Sequence, residues 1–221
     1  MGVSTDLPAT LARLETWLSA HAPAIHAQLT PGVTGAELDA LEAHTGLKLP
    51  EAYRILYKTH GSWGGTFGLG HMPLGSVLSS WNTWRDLEPD SQETEGHVSH
   101  PPGAIKPQYI NLGWIPLLED RGGNEVGVDL KPGPTGKVGQ IITYGRDEEH
   151  KYVLAPGLEA FLTEYVARLE SGRVRVVQLE GFSKPTWDIQ LTDSTGHSAN
   201  TYSPLTDFYP GFGAAPARRS R

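Results

Sequence analysis

The sequence predicts an α+β domain with N-terminal helices, a central mainly antiparallel sheet and a C-terminal helix packed on that sheet. Apolar residues recur at helical spacing before residue 61. Three apolar runs, Ile115–Leu118, Val126–Leu130 and Val138–Tyr144, are then separated by Gly-, Pro- and Asn-rich breaks, which is typical of strands joined by tight turns. Helical spacing returns over Leu158–Leu169.

Start and stop signals delimit the N-terminal helices. Leucines from Leu7 to Leu18 lie at helical spacing. Thr34 and Glu37 form a capping-box pattern at the start of a second helix, and Gly46 is placed to end it. A third helix is expected from Pro50 to Gly61, where the glycine stops it.

The middle of the chain alternates between glycine-rich, helical and polar segments. Ser62–Leu74 is rich in glycine and aromatics and is expected to form one or two short strands. Ser76–Leu87 carries apolar residues at helical spacing and is predicted as a helix. Glu88–Pro107 is polar and contains several prolines, so it is predicted as a long surface loop.

The sheet and its covering helix follow. Strands are predicted at Tyr109–Leu118, Glu125–Leu130, Val138–Tyr144 and, as a short fourth, Tyr152–Leu154. The Leu158–Leu169 helix should end at Gly172, and Val174–Leu179 should be a further extended segment. A set of strand and helix residues is expected to be buried together in one core: Trp114, Val126, Val128, Ile141, Phe161 and Leu162.

The chain is divided here into residues 1–182, forming the α+β domain, and residues 183–221, an irregular extension ending in a basic disordered tail. The extension has no steady period but carries many large aromatics, which are Trp187, Tyr202, Phe208, Tyr209 and Phe212. That content is too apolar for a plain linker, so the extension is expected to wrap the domain or dock into a groove.

Composition excludes several classes of function. The 221 residues include no cysteine, which rules out disulfides, thiolate catalysis and cysteine-based zinc sites. The net charge of −7 disfavours direct nucleic-acid binding and favours a basic protein partner. No apolar run approaches the ~18 residues of a membrane span, and the N-terminus lacks a signal-peptide pattern, so a cytoplasmic protein without membrane contact is expected.

Two segments resemble the SUKH superfamily. Leu38–Gly61 contains G-L-K-L-P-E-A-Y-R-I-L-Y-K-T-H-G, and Trp114–Leu169 contains D-R-G-G-N, V-D-L and P-G-P-T-G-K-V-G-Q-I. The superfamily includes fungal cell-wall-assembly regulators and bacterial immunity proteins of toxin systems. The resemblance implies a non-enzymatic protein-binding module without a cofactor. It implies an immunity protein neutralising a toxin, such as a basic nuclease, or a regulator of cell-wall synthesis if the source is fungal.

Two groups of residues are predicted to face the partner. The first consists of carboxylates at the strand turns, Glu119, Asp120, Glu125, Asp147, Glu148 and Glu149. Turns of neighbouring hairpins can lie at one end of a sheet, where their charges add. The second consists of the tryptophans Trp63, Trp81 and Trp84, since tryptophan often anchors interfaces, although burial in the core is the more common fate of such residues.

The alternative function is a metal-assisted hydrolase using Asp120, Asp129 and a loop histidine, His97 or His100. Asp and Asn are also favoured at turns for backbone reasons, and Pro101 next to His100 argues against a helical metal motif. The 147–150 segment, Asp-Glu-Glu-His, is interpreted as a hairpin turn rather than an acid–base pair. We therefore predict no catalytic residue, no metal and no cofactor.

Overall fold

The computed structural model of the chain describes residues 6–63, 70–88, 95–199 and 203–213. The helices are α1 (Leu7–His21), α2 (Pro23–His26), α3 (Gly35–Thr45), α4 (Glu51–Thr59), α5 (Leu74–Leu87), α6 (Leu158–Glu170) and α7 (Leu205–Phe208). The strands are β1 (Val98–His100), β2 (Trp114–Glu119), β3 (Asn124–Asp129), β4 (Gln140–Gly145), β5 (His150–Ala155), β6 (Val174–Leu179) and β7 (Thr186–Leu191). The predicted α+β class is confirmed.

Local capping explains where the N-terminal helices begin. The hydroxyl of Thr34 accepts a hydrogen bond from the N–H of Glu37 at 3.3 Å, and the Glu37 carboxylate accepts one from the N–H of Thr34 at 2.8 Å. This reciprocal pair is the capping box expected from the sequence. Gly46 ends α3 at a φ of +69°, a conformation that glycine adopts without steric cost.

Five strands form the main sheet in the order β1-β5-β4-β3-β2. Strands β2 to β5 are paired antiparallel, whereas β1 runs parallel to β5. Val128 lies opposite Ile115 on one side and Ile141 on the other. The antiparallel pairing brings the β2–β3 turn and the β4–β5 turn to the same end of the sheet.

The two faces of this sheet carry different clusters. Val126, Val128 and Ile141 pack with Phe161 and Leu162 of α6 in the main core, as predicted. Trp114 does not join them, and this expectation was wrong. Because successive side chains alternate between the faces of a strand, Trp114 lies on the opposite face. There it belongs to a second buried cluster.

The segment predicted as a surface loop, Glu88–Pro107, is only partly a loop. Its described residues include β1 and the fully buried Ile105, while residues 89–94 lie outside the described residues. Of Ser62–Leu74, predicted as short strands, residues 64–69 also lie outside them. The described residues on either side belong to no strand, and α5 begins at Leu74.

The chain beyond α6 adds a hairpin and a docked segment. Strands β6 and β7 pair antiparallel, with Val174 opposite Leu191, so the division after residue 182 falls in the turn between them. Residues 205–213, which we call the strap, bury Phe208, Tyr209 and Phe212. Tyr202 and residues 214–221, predicted as a disordered tail, lie outside the described residues. None of the described helices is both long and apolar enough to span a membrane.

Candidate functional site: an acidic hairpin tip

The β2–β3 and β4–β5 turns are joined by one side chain. Asn124 lies opposite Gly145 in the sheet. Its Nδ2 donates to Oδ2 of Asp120 in its own turn at 2.7 Å, and its Oδ1 accepts from the N–H of Asp147 in the neighbouring turn at 2.8 Å. The two turns therefore form one connected surface, which we call the acidic tip and define as residues 119–124 and 145–149.

Asp120 organises the first of these turns. Its Oδ1 accepts hydrogen bonds from the N–H groups of Gly122 at 2.6 Å and Asn124 at 3.0 Å. Arg121 between them has a φ of +61°, a left-handed conformation that costs energy for a residue with a side chain. Asp120 therefore stabilises a strained turn, which agrees with its interpretation as a turn residue.

The charges at the tip are mainly negative. Glu119 and Glu149 are exposed, and neither forms an ion pair with another described residue. Asp147 is also exposed and pairs with Arg146 at 3.0 Å. The hydrogen bond from Arg146 lowers the pKa of Asp147, so this carboxylate stays ionised. Arg121 is a second exposed guanidinium at the tip and forms no ion pair with a described residue. The tip thus presents three exposed carboxylates and two guanidinium groups, one of which is paired with Asp147.

Two carboxylates predicted for this surface are buried instead, and those predictions need correction. Glu125 is 4% exposed. It accepts hydrogen bonds from Nε1 of Trp84 at 3.0 Å and from the hydroxyl of Ser80, and its burial raises its pKa. It points away from the solvent because α5 covers this face of the sheet.

Glu148 is likewise 4% exposed. Its Oε1 accepts a hydrogen bond from the N–H of Leu205 at 2.8 Å, so the strap covers it. Burial raises the pKa of Glu148 to about 7. Neither Glu125 nor Glu148 can meet a partner in this conformation.

The three tryptophans have different environments. Trp63 and Trp81 are buried in the main core, so they are not contact residues of a surface. Trp84 is half-buried and contacts Tyr109 edge to face at a centroid distance of 5.8 Å. Through Glu125, Trp84 alone of the three adjoins the acidic tip.

The residues of the hydrolase alternative are dispersed. Asp129 lies at the end of β3 remote from Asp120, about 17 Å away along a strand of this length. It is fully buried and accepts from Nε2 of Gln140 at 2.9 Å. Burial raises the pKa of Asp129 to about 6. Among the described residues there is no group of three or more His, Asp or Glu side chains that could hold a metal ion.

The loop histidines have other partners. Nδ1 of His97 lies 3.1 Å from Nζ of Lys151, and Nε2 of His100 lies 2.9 Å from Nδ1 of His150. Sequence reasoning missed Lys151, which is 1% exposed and donates to the carbonyl of Glu148 at 2.8 Å. Burial lowers the pKa of Lys151 to about 8. The sequence signal that could have predicted this burial is the alternation of side chains along a strand, which places Lys151 on the same face of β5 as Val153.

Comparisons with known proteins find a matching family model and several similar sequences. A family model described as "SMI1 / KNR4 family (SUKH-1)" matches residues 32–164. KNR4/SMI1 homolog 2 of Debaryomyces hansenii is 32% identical over 211 residues, covering 75% of this chain and 36% of the relative. The cell wall assembly regulator SMI1 of Saccharomyces cerevisiae is 31% identical over 211 residues, covering 77% and 42%. The glucan synthesis regulatory protein of Neurospora crassa is 29% identical over 205 residues, covering 73% and 38%. The chain spans about two fifths of the length of these relatives.

Proposed function

Because the chain belongs to the SMI1/KNR4 family (SUKH-1), we propose that it is a non-enzymatic protein-binding module that acts in the regulation of cell-wall synthesis. Its relatives are named as regulators of cell wall assembly and of glucan synthesis. The mechanism is recognition of a protein partner that carries a basic surface. The acidic tip is the surface that meets this partner.

The joining of two turns by Asn124 is the observation that carries this proposal. Its hydrogen bonds to Asp120 and Asp147 hold the exposed carboxylates of separate hairpins in a fixed relation. A preorganised surface loses less conformational entropy on binding than a mobile one. Glu119 and Glu149 have no described ion-pair partner, so their charges remain available to attract cations on a partner.

The other functions expected from the sequence have less support than a role in cell-wall synthesis. Toxin immunity and a nuclease partner stay predictions, because the matched relatives are named as fungal regulators. A cytoplasmic location also stays a prediction. The hydrolase alternative is disfavoured by the separation of Asp120 from Asp129 at opposite ends of β3.

The tip is tested by charge reversal. Glu119→Lys with Glu149→Lys changes two exposed carboxylates and leaves the buried Glu148 intact. Proteins captured from the source lysate by wild type are purified, and their association rates are measured at two ionic strengths. We expect the double variant to slow association several-fold at low salt, with a smaller effect at high salt because exposed charges are screened over ~10 Å at 0.1 M.

A matched double variant controls for net charge. Glu159 and Glu180 are exposed and lie away from the tip, on α6 and in the β6–β7 turn. Changing both to lysine alters the net charge by the same amount and should leave association within about twofold. Equal slowing by the two double variants would show that only overall charge matters. No slowing by either would refute the role of the tip.

The regulatory role has a separate test. The part of the S. cerevisiae relative that matches this chain is replaced by this chain, and cell-wall glucan is quantified. We expect wild type to restore the glucan content and the Glu119→Lys, Glu149→Lys variant to fail. If neither wild type nor the double variant restores the glucan content, although each protein is present at normal abundance, a role in cell-wall synthesis is contradicted. The binding test remains valid in that case.

A further inference from the structure

The strap is attached to the domain near both of its ends. At its start, the N–H of Leu205 donates to Oε1 of Glu148 at 2.8 Å. Near its end, the carbonyl of Pro210 accepts from Nη1 of Arg168 on α6 at 2.8 Å. Three aromatic side chains of the strap are buried: Phe208, Tyr209 and Phe212. The strap is therefore a short segment that docks through apolar side chains and is held by two buried charged residues.

Only one of the two attachments can change its charge near neutral pH. Nε of Arg168 also donates to Oε1 of Glu164 at 2.6 Å, and a guanidinium stays protonated throughout the range in which proteins are folded. Glu148 is a carboxyl group that forms no ion pair with another described residue. The attachment at the start of the strap is thus the one that responds to protons.

The surroundings of Glu148 favour its neutral form. Burial raises its pKa to about 7, and the nearby charges of Asp120 and Glu149 add to the rise, whereas Lys151 opposes it. Lys151 forms no ion pair with the carboxylate. Its Nζ donates to the main-chain carbonyl of Glu148 at 2.8 Å and lies 3.1 Å from Nδ1 of His97.

The strap brings no cation to Glu148. Its titratable side chains are Asp207 and Tyr209, and burial raises the pKa of Tyr209 well above its usual value, so this tyrosine stays neutral. The docked strap therefore keeps water from the carboxyl group without supplying a charge that would stabilise the carboxylate. When the strap opens, the carboxyl group returns to water, where it ionises without this cost.

We propose that the strap is a pH-sensitive latch, in which protonation of Glu148 favours docking and ionisation of Glu148 favours opening. Opening uncovers a further carboxylate at the acidic tip. It also uncovers Leu118 and Val126, which line the same small cavity as Leu205 and Phe208. The latch is a property of the fold, so its test is independent of the function proposed for the acidic tip.

The size of the effect follows from linkage. The carboxyl group has a pKa of 4.5 in water and of about 7 under the docked strap, so docking is strongest below pH 4.5 and weakens as the pH rises through 7. These two values predict that the ratio of open to docked strap rises roughly 70-fold between pH 5 and pH 8. Burial of the aromatic side chains still favours docking at pH 8, so the open form is detected through exchange.

Hydrogen exchange of the full chain, followed by mass spectrometry at single-amide resolution, measures this ratio. The N–H groups of Leu205 and Tyr209 donate to Glu148 and to the carbonyl of Thr206, and both are released when the strap opens. Exchange rates are divided by the intrinsic rate at each pH. We expect the ratio to rise roughly 70-fold in wild type. In Glu148→Gln, which keeps an acceptor but cannot ionise, it should change less than about threefold.

Two control variants separate the latch from general effects of charge and packing. Glu149→Gln changes the exposed neighbour and should leave the rise within about twofold of wild type. Gly213→Ala weakens the far end of the strap, because the added Cβ would lie 2.0 Å from the carbonyl oxygen of Val153. It should increase opening by the same factor at every pH and leave the rise unchanged. A rise below about fivefold in wild type, or an equal rise in Glu148→Gln, would overturn the proposal.

Discussion

Replacing Glu148 with glutamine should stabilise the protein at high pH. Glu148 is 4% exposed, and burial raises its pKa from 4.5 to about 7. Its carboxylate accepts the N–H of Leu205 at 2.8 Å. The glutamine side chain is nearly the same size and offers a carbonyl oxygen to the same donor. The substitution therefore removes the buried charge while keeping the hydrogen bond that holds the strap.

The sign of the effect follows from linkage. A carboxyl with a raised pKa binds its proton more tightly in the folded state, so its favourable contribution is present below pH 4.5 and is lost as the pH rises through about 7. At about 1.4 kcal/mol per pKa unit, the full loss is about 3 kcal/mol. The pKa of about 7 already includes the attraction to the buried Lys151, so we expect a gain of about 3 kcal/mol for the glutamine variant at pH 8.

The assay is urea denaturation of wild type and Glu148→Gln between pH 5 and pH 8. The difference in unfolding free energy should be below about 1 kcal/mol at pH 5 and should grow with pH. Glu149→Gln serves as the control, because this neighbour is exposed and its change should show no such trend. A difference that stays constant with pH, or that favours wild type at pH 8, would refute the burial argument.

Three further predictions concern the core, the tip and metal ions. Phe161→Ala removes a fully buried ring that contacts Tyr209 and Phe212 at centroid distances of 5.4 Å; it should cost about 3–5 kcal/mol, and an unchanged thermal melt would contradict this packing. Asn124→Ala should cost about 1–3 kcal/mol and speed amide exchange at Asp147, whose N–H it releases; unaltered exchange would show that the turns hold together without it. Calorimetric titration with zinc, magnesium, manganese and calcium should reveal no tight binding, whereas a stoichiometric site lost on Asp120→Ala or His97→Ala would revive the hydrolase alternative.

Much of the fold could be predicted because its signals are local. The capping box at Thr34 and Glu37 depends on residues three apart, and it formed as expected. The apolar runs of the strands and the helical spacing of apolar residues in α6 are likewise signals within short stretches of sequence. β1 was missed because it has only three residues and pairs in parallel with β5, about 50 positions later in the chain. A strand this short has no readable period in the sequence.

The second face of the sheet explains why Glu125 was wrongly predicted to be exposed. The strands alternate, and residues such as Glu125 on the face away from the main core resemble solvent-facing positions. In the structure α5 and the loop before β2 cover this face. Trp84 and Ser80 supply hydrogen-bond donors to Glu125 there. The sequence shows a carboxylate in a strand but not the helix above it, so burial of Glu125 could not be read from its neighbours.

In the turn between β4 and β5, the exposure of individual side chains cannot be predicted from the neighbouring sequence. Asp147, Glu148 and Glu149 are consecutive acidic residues, yet the first and last are exposed and the middle one is buried. Main-chain direction at the turn decides which side chain points inward. What makes that inward site tolerable for a carboxyl group is the N–H of Leu205, which lies 57 residues later. A buried carboxylate without such a donor would be strongly disfavoured, so the burial of Glu148 and the docking of the strap depend on each other. Neither can be inferred from the acidic run alone.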